Sequence, residues 1–134
     1  MVDVIQQQGE VQQRYRNLAR EYGERANRTC ERIYQQIVQH FLHGSGRVLE
    51  LGAGCTNMLA VVESPYGVAS DLSEEMLQMR THDGEIHCVV TAGELIPLRD
   101  GTFDGLFHVN VLEHVTNVDL VLDESCRFMR PGGT

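Results

Sequence analysis

Glu50, Gly52, Gly54 and Asp71 are the residues whose types and spacing suit a chemistry of ligand recognition. Arg47 to Leu51 reads as a short strand, and it runs into the turn Gly52-Ala53-Gly54-Cys55-Thr56. Two glycines one residue apart let a backbone turn tightly and approach a ligand closely. The start of the helix expected next offers free N–H groups to the same ligand. Asp71 falls at the end of a second expected strand, Tyr66 to Asp71. A carboxylate there can accept hydrogen bonds from both ribose hydroxyls of a nucleoside. The plain alternative is that Gly52 and Gly54 only make a tight turn.

The elements that must hold these residues follow from hydrophobic period. Residues 1–13 are polar and glutamine-rich, which predicts a frayed or loose first helix. Arg14 to Leu42 contains no proline, and Ile33, Ile37, Val38, Phe41 and Leu42 share one face at helical spacing. Gly44-Ser45-Gly46 ends that helix. After the first strand a helix is expected from about Asn57 to Glu63, broken by Ser64-Pro65. Ser73 is an N-cap, with Glu74 and Glu75 in the first turn of a helix reaching about Thr81. Asp83-Gly84 is then a turn. Glu85 to Val90 reads as a third strand, 91–102 as mostly loop, and Phe103 to Val109 as a fourth strand. Asn117 to Met129 is a last helix, stopped by Pro131-Gly132-Gly133. Strands alternating with helices argue for an α/β fold built of parallel βαβ units with right-handed crossovers.

Composition excludes several functions. The chain has 134 residues, enough for one domain. Its formal net charge of −8 gives no electrostatic footprint for a phosphate backbone, so no nucleic-acid partner is expected. Arg14, Arg16, Arg20, Arg25, Arg28 and Arg32 are interleaved with Glu10, Glu21, Glu24 and Glu31, which reads as a solvated helix face. Cys30, Cys55, Cys88 and Cys126 form no C-x-x-C pair, so neither a zinc knuckle nor a redox motif is indicated. The N-terminus lacks the pattern of a secretory signal, and no apolar run approaches the ~18 residues of a membrane span. A cytoplasmic location without a membrane partner is the expectation.

Two ligand classes compete for the glycine turn. The dinucleotide fingerprint G-x-G-x-x-G needs a third glycine where this chain has Asn57. The form acidic-x-G-x-G-x-G matches Glu50, Gly52 and Gly54, with Thr56 in place of its last glycine. A carboxylate at position 50 repels a pyrophosphate and suits the ammonium group of a methionine moiety, directly or through water. On these residues the chain resembles the class I (Rossmann-like) S-adenosylmethionine-dependent methyltransferases, small-molecule type. The resemblance runs from Arg47 to Thr134. Val68 to Leu77 is similar to the family's second motif, Ala92 to Leu98 to the loop after its third strand, and Asn110 to Val115 to the exit of its fourth. Arg127 to Gly133 is similar to the approach to its fifth strand.

The resemblance implies S-adenosylmethionine as cofactor and S-adenosylhomocysteine as product. It assigns cofactor contacts to Glu50, Gly52, Ala53 and Gly54, to Asp71 at the ribose, to Leu72 against the adenine, and to Asn110. Ala92 stands where the family often has an aspartate that receives the adenine amino group, and Glu94 or the backbone of Gly93 is expected to serve instead. It also implies a Rossmann-like three-layer sandwich. The family's sheet has strand order 3-2-1-4-5-7-6, and this sequence reaches only the fourth strand. The expected sheet is therefore parallel, in order 3-2-1-4, without strands 5–7 and preceded by N-terminal helices. Residues 1–44 are expected to form a helical cap or lid, where Tyr15 and Tyr22 share a face, and 45–134 the cofactor-binding domain. The fourth strand becomes an exposed edge, open to self-association or a partner chain.

Methyl transfer from a sulfonium is an in-line displacement, so positioning dominates, and a general base is needed only for a protonated acceptor. His114 is the catalytic candidate. It reads as a general base, as a metal ligand beside Glu113, or as part of a helix start with only local hydrogen bonds. Metal-binding branches carry an acid where this chain has Asn110, so no metal is assigned. The expected function is methyl transfer to a small-molecule acceptor. A non-catalytic binding module or partner subunit is the alternative.

Overall fold

The computed structural model describes residues 2–25, 28–80 and 85–134. Nine elements follow in order: α1 (Val2–Arg25), α2 (Arg28–Leu42), β1 (Arg47–Leu51), a short 3-10 helix (Met58–Val62), β2 (Tyr66–Asp71), α3 (Glu74–Gln78), β3 (Ile86–Val90), β4 (Gly105–His108) and α4 (Val118–Phe128). The expected turn at Asp83-Gly84, the helix end at Thr81 and the side chains of Arg20, Tyr22, Arg25 and Arg28 lie outside the described residues.

The four strands form one parallel sheet in the order β3-β2-β1-β4. Register brings the carboxyl ends together: Leu51 of β1 pairs with Ser70 of β2 and with His108 of β4, and Asp71 pairs with Val90 of β3. Strand order reverses between β1 and β4, the place where open α/β sheets bind ligands. Both faces of the sheet are covered. Val48 and Ala69 pack with Val38 and Leu42 of α2, Leu59 and Val62 of the 3-10 helix, and Leu77 of α3. Leu49, Leu51 and Val68 pack on the other face with Ile96, Phe103, Val121 and Phe128. Val48 and Leu49 are each 0% exposed, so adjacent residues of β1 face opposite cores, as a strand sandwiched between layers must.

Several elements differ from expectation. α1 begins at Val2, because a run of glutamine and glutamate between apolar residues propagates a helix well. One helix was expected from Arg14 to Leu42; the described residues of that span are helical, as the end of α1 and as α2, and residues 26–27 between them lie outside the described residues. Residues 58–62 form a 3-10 helix because Pro65 leaves too little chain for a longer one, and Glu63 ends it at φ +55°. α3 stops at Gln78: the N–H groups of Met79 and Arg80 tighten onto the carbonyls of Met76 and Leu77, three residues back. The cap expected at Ser73 is present, its Oγ accepting from Met76 N–H, and Asn117, expected as the first residue of the last helix, caps it instead, its Oδ1 accepting from Leu120 N–H.

β4 is shorter than expected, and its outer edge is partly covered. Phe103 instead forms an isolated parallel bridge with Met129. The turn at Pro131-Gly132-Gly133 returns Thr134 to this edge, where Leu106 N–H donates to Thr134 O at 2.9 Å and Thr134 N–H to Asp104 O at 3.0 Å. The N–H beside Leu106 is therefore paired. Beyond it, the apolar face of α2 remains open, with Ile33, Ile37 and Phe41 all exposed.

Candidate functional site

The turn after β1 is built to bring backbone close to a ligand. Gly52 has φ +63° and Gly54 φ +53°, a conformation that side chains disfavour. A Cβ at Gly52 would also collide with the side chain of Val111. The turn is tied to the end of β2: Ala53 N–H donates to Ser70 O at 2.9 Å and Gly54 N–H to Asp71 Oδ2 at 2.8 Å. Thr56, where a third glycine was expected, closes the turn by donating its hydroxyl to Ala53 O at 3.1 Å.

Asp71 stands at the carboxyl tip of β2, with Oδ1 accepting from Ser73 N–H at 2.8 Å. Burial pushes its pKa up, against the pull of the N–H groups of Ser73 and Gly54. An ionised carboxylate offers about four acceptor directions. The N–H groups of Gly54 and Ser73 take one direction on each oxygen and that of Leu72 adds a third pull, so part of this capacity remains for a ligand hydroxyl.

Under the turn lies an ion pair that sequence reading missed. Glu50 and Arg80 are each 4% exposed. Arg80 Nη2 donates to Glu50 Oε2 at 3.2 Å, and Nη1 donates to Ala53 O at 3.1 Å. Burial pushes the Glu50 carboxyl up to about 7, even though the guanidinium pulls it down. A signal was present in the sequence: Arg80 follows Met76 and Leu77 by about one helical turn, so it continues their buried face.

The loops after β3 and β4 face the turn from the other side. Glu94 Oε1 accepts from the N–H and hydroxyl of Thr116 at 2.9 and 2.8 Å, and Gln8 Nε2 of α1 reaches Glu94 Oε2 at 3.5 Å. Burial opposes its charge, but the hydrogen bonds from Thr116 outweigh that and hold Glu94 below the usual carboxylate range. Asn110 adopts φ +55°, an uncommon conformation for a residue with a side chain and one that recurs at ligand sites. His114 lies in a turn, not in a helix start, because α4 begins only after its Asn117 cap. Its side chain is 42% exposed, 3.9 Å from Glu113 Oε1, and its ring meets that of Tyr15 edge-on at 5.7 Å. Among the described residues, no three His, Cys, Asp or Glu side chains are grouped to hold a metal.

Glu50, Gly52, Ala53, Gly54, Asp71, Leu72, Gly93, Glu94, Asn110 and His114 all line one cavity. Gln8, Val11 and Tyr15 of α1 line it too. Gln12 Nε2 donates to Leu72 O at 3.1 Å, and Arg16 pairs with Glu75 at 2.6 Å. The glycine cradle, the spare acceptor capacity of Asp71 and the apolar side chains of Leu72, Met76 and Val121 fit a nucleoside that carries a flexible polar arm.

Residues 49–134 match the family described as the methyltransferase domain. Among curated proteins, the chain is 30% identical over 105 residues to the malonyl-[acyl-carrier protein] O-methyltransferase of Methylococcus capsulatus, covering 72% of this chain and 38% of that protein. It is 32% identical over 116 residues to the ubiquinone biosynthesis O-methyltransferase of Agrobacterium fabrum, covering 80% of this chain and 46% of that one. The chain thus spans less than half the length of these relatives. Among solved structures, an S-adenosylmethionine-dependent methyltransferase of Thermotoga maritima superposes with a TM-score of 0.74 at 22% identity, covering 92% of this chain and 57% of that one. No described helix is long and apolar enough to cross a membrane.

Proposed function

The chain belongs to the class I S-adenosylmethionine-dependent methyltransferases, and from that premise we propose that its cavity holds S-adenosylmethionine and that the protein transfers the methyl group to a small-molecule acceptor. The observation that carries this reading is convergence. Ten residues singled out by type and spacing or by the family resemblance, from four separate stretches of chain, line one cavity at the carboxyl end of the sheet.

When bound, the cofactor supplies an activated methyl group on a sulfonium, which leaves as a neutral thioether. The work of this chain's residues is then to bind, orient and exclude water. Gly52, Ala53 and Gly54 admit the amino-acid arm against bare backbone. Asp71 accepts the ribose hydroxyls. Leu72 lies along the adenine, with Gly93, Glu94 and Asn110 closing the same end. α1 acts as a cap, supported by its contacts to Leu72, Glu75 and Glu94. His114 takes a proton at a ring nitrogen from an acceptor that carries one at neutral pH. The reading takes the cytoplasm as compartment, where Cys30, Cys55, Cys88 and Cys126 stay reduced.

A second reading, cofactor binding without turnover, is favoured by the setting of His114. Its imidazole is exposed, and the carboxylate beside it belongs to the exposed Glu113, which orients a ring less firmly than a buried acid does. Two measurements separate the readings. Calorimetric titration of S-adenosylhomocysteine into the chain is expected to show one site. Transfer of labelled methyl groups to a panel of small hydroxyl, amine and carboxylate acceptors then reports turnover. Absence of binding in the first measurement would defeat both readings.

A further inference from the structure

Arg80 sits just beyond α3 with its side chain 1% exposed. Carrying a guanidinium out of water is costly unless its donors are satisfied. This one is satisfied by two acceptors that belong to the glycine turn and its root: Glu50 Oε2 at 3.2 Å and Ala53 O at 3.1 Å. Glu50 is the next-to-last residue of β1, and Ala53 lies between the two glycines. One planar group therefore fixes where the strand ends and where the turn's carbonyl points. Thr56 donates to that same carbonyl through its hydroxyl at 3.1 Å, and Ala53 N–H is held by Ser70. The peptide groups flanking Ala53 are thus pinned from three sides.

This bears on Glu50, which sequence pattern assigns to the cofactor's ammonium group. In the fold its carboxylate faces a guanidinium inside the protein, and its charge is compensated there. Burial has already pushed its pKa to about 7. Little negative potential is left to offer a second cation.

We propose that Arg80 is a positioning residue for the cofactor turn, and that Glu50 serves the cofactor through this guanidinium instead of receiving its ammonium group directly. The inference rests on the reading of the cavity as a S-adenosylmethionine site.

The test compares the full chain with Arg80→Met, Arg80→Lys, Glu50→Gln and the double variant Glu50→Gln/Arg80→Met. Three quantities are read: calorimetric affinity for S-adenosylhomocysteine, ligand-free amide hydrogen exchange across Gly52 to Thr56, and the melting temperature. Arg80→Met is expected to weaken the ligand by about tenfold or more, the effect of losing a hydrogen bond from a charged group. Exchange at the turn amides should accelerate more than in β2, a selectivity that general destabilisation does not produce. Arg80→Lys should recover part of both effects. The double variant should bind no more weakly than the weaker single variant, departing from a simple product of effects by at least about fivefold.

Fully multiplicative losses would show that Glu50 meets the ligand independently, and would overturn the proposal. Turn amides in Arg80→Met that exchange as in the wild type would overturn it as well. Should Arg80→Met fail to fold, Arg80→Lys carries the exchange measurement. A single ammonium lacks the fork that spans both acceptors, so wild-type exchange in that variant defeats the proposal. A wild-type chain that binds no S-adenosylhomocysteine, yet whose turn loosens selectively in the Arg80 variants, would remove the cofactor reading while supporting Arg80 as the residue that shapes the turn.

Discussion

Gly54 donates its backbone N–H to Asp71 Oδ2 at 2.8 Å, so the turn after β1 and the acid at the tip of β2 form one hydrogen-bonded unit. Asp71 then has two tasks. It shapes the turn, and it presents its remaining lone pairs to the cavity.

Asp71→Ala is expected to weaken S-adenosylhomocysteine by at least about tenfold, since a charge-assisted hydrogen bond contributes about 1.5–3 kcal/mol. Asp71→Asn keeps one acceptor oxygen for Gly54 and should lose less. Calorimetry on both variants checks this. Equal affinity in Asp71→Ala and wild type would count against the ribose assignment.

Gly52→Ala should abolish cofactor binding and lower stability by about 2 kcal/mol or more, because it combines a left-handed φ with a collision against Val111. The double variant Gly52→Ala/Val111→Ala relieves the collision and leaves the backbone strain of about 1–2 kcal/mol. Urea titration separates the two contributions. A single variant as stable as the wild type would contradict the turn geometry.

The Glu50 carboxyl is expected to titrate at about 7, far from its ordinary 4.5. A carboxyl raised in the folded state binds more protons folded than unfolded. Its contribution to stability is therefore fully present below about 4.5 and is lost as pH rises from there through about 7. Glu94 and Glu124 are lowered, so theirs runs the other way and is lost as pH falls. Carbon-13 titration of labelled glutamates gives the midpoint directly. The stability difference between wild type and Glu50→Gln should change steeply between those two pH values and be flat above them.

His114→Gln should reduce methyl transfer to a protonated acceptor by about 100-fold or more while leaving S-adenosylhomocysteine affinity nearly unchanged. An acceptor already deprotonated at neutral pH should show little loss. Initial rates across pH with both kinds of acceptor make the comparison. Loss of cofactor affinity in this variant would reassign His114 to binding.

The face formed by α2 and the outer side of β4 should drive self-association of the 134-residue chain. Ile37 is 50% exposed and Phe41 63%, beside Leu106 and Phe107. Ile37→Lys together with Phe41→Glu should shift sedimentation toward monomer without lowering the melting temperature. A wild-type chain that sediments as a monomer at high concentration would argue against this surface.

The sheet was legible because short runs of strand-forming residues end in a glycine turn after β1 and in an acid at the tip of β2, and parallel order follows from the intervening helices. The cap at Ser73 was legible from side-chain chemistry alone. The glycine turn was legible as a motif, but its mechanics were not. Helical spacing places Arg80 on the buried face of Met76 and Leu77, but nothing local names Glu50 and Ala53 as its partners, since that pairing joins residues far apart in sequence and depends on how α3 docks. The same holds for Glu94, whose partner Thr116 comes from the loop after a different strand. The extent of α1 was missed because polar composition was read as fraying, although glutamine and glutamate favour helix.

Three polar contacts hold α1 over the cavity: Gln8 to Glu94 and Gln12 to Leu72, both half-buried, and the exposed pair Arg16 to Glu75. Contacts of this kind contribute little individually, and the charged one is screened by salt. If the cavity holds a nucleoside as proposed, α1 is expected to work as a light latch over it. Residence of a bound nucleoside is then governed by the turn and Asp71, while its rate of arrival is governed by the latch. Added salt loosens Arg16 from Glu75, so association should speed up with ionic strength, the opposite of what electrostatic steering toward an oppositely charged pocket would give.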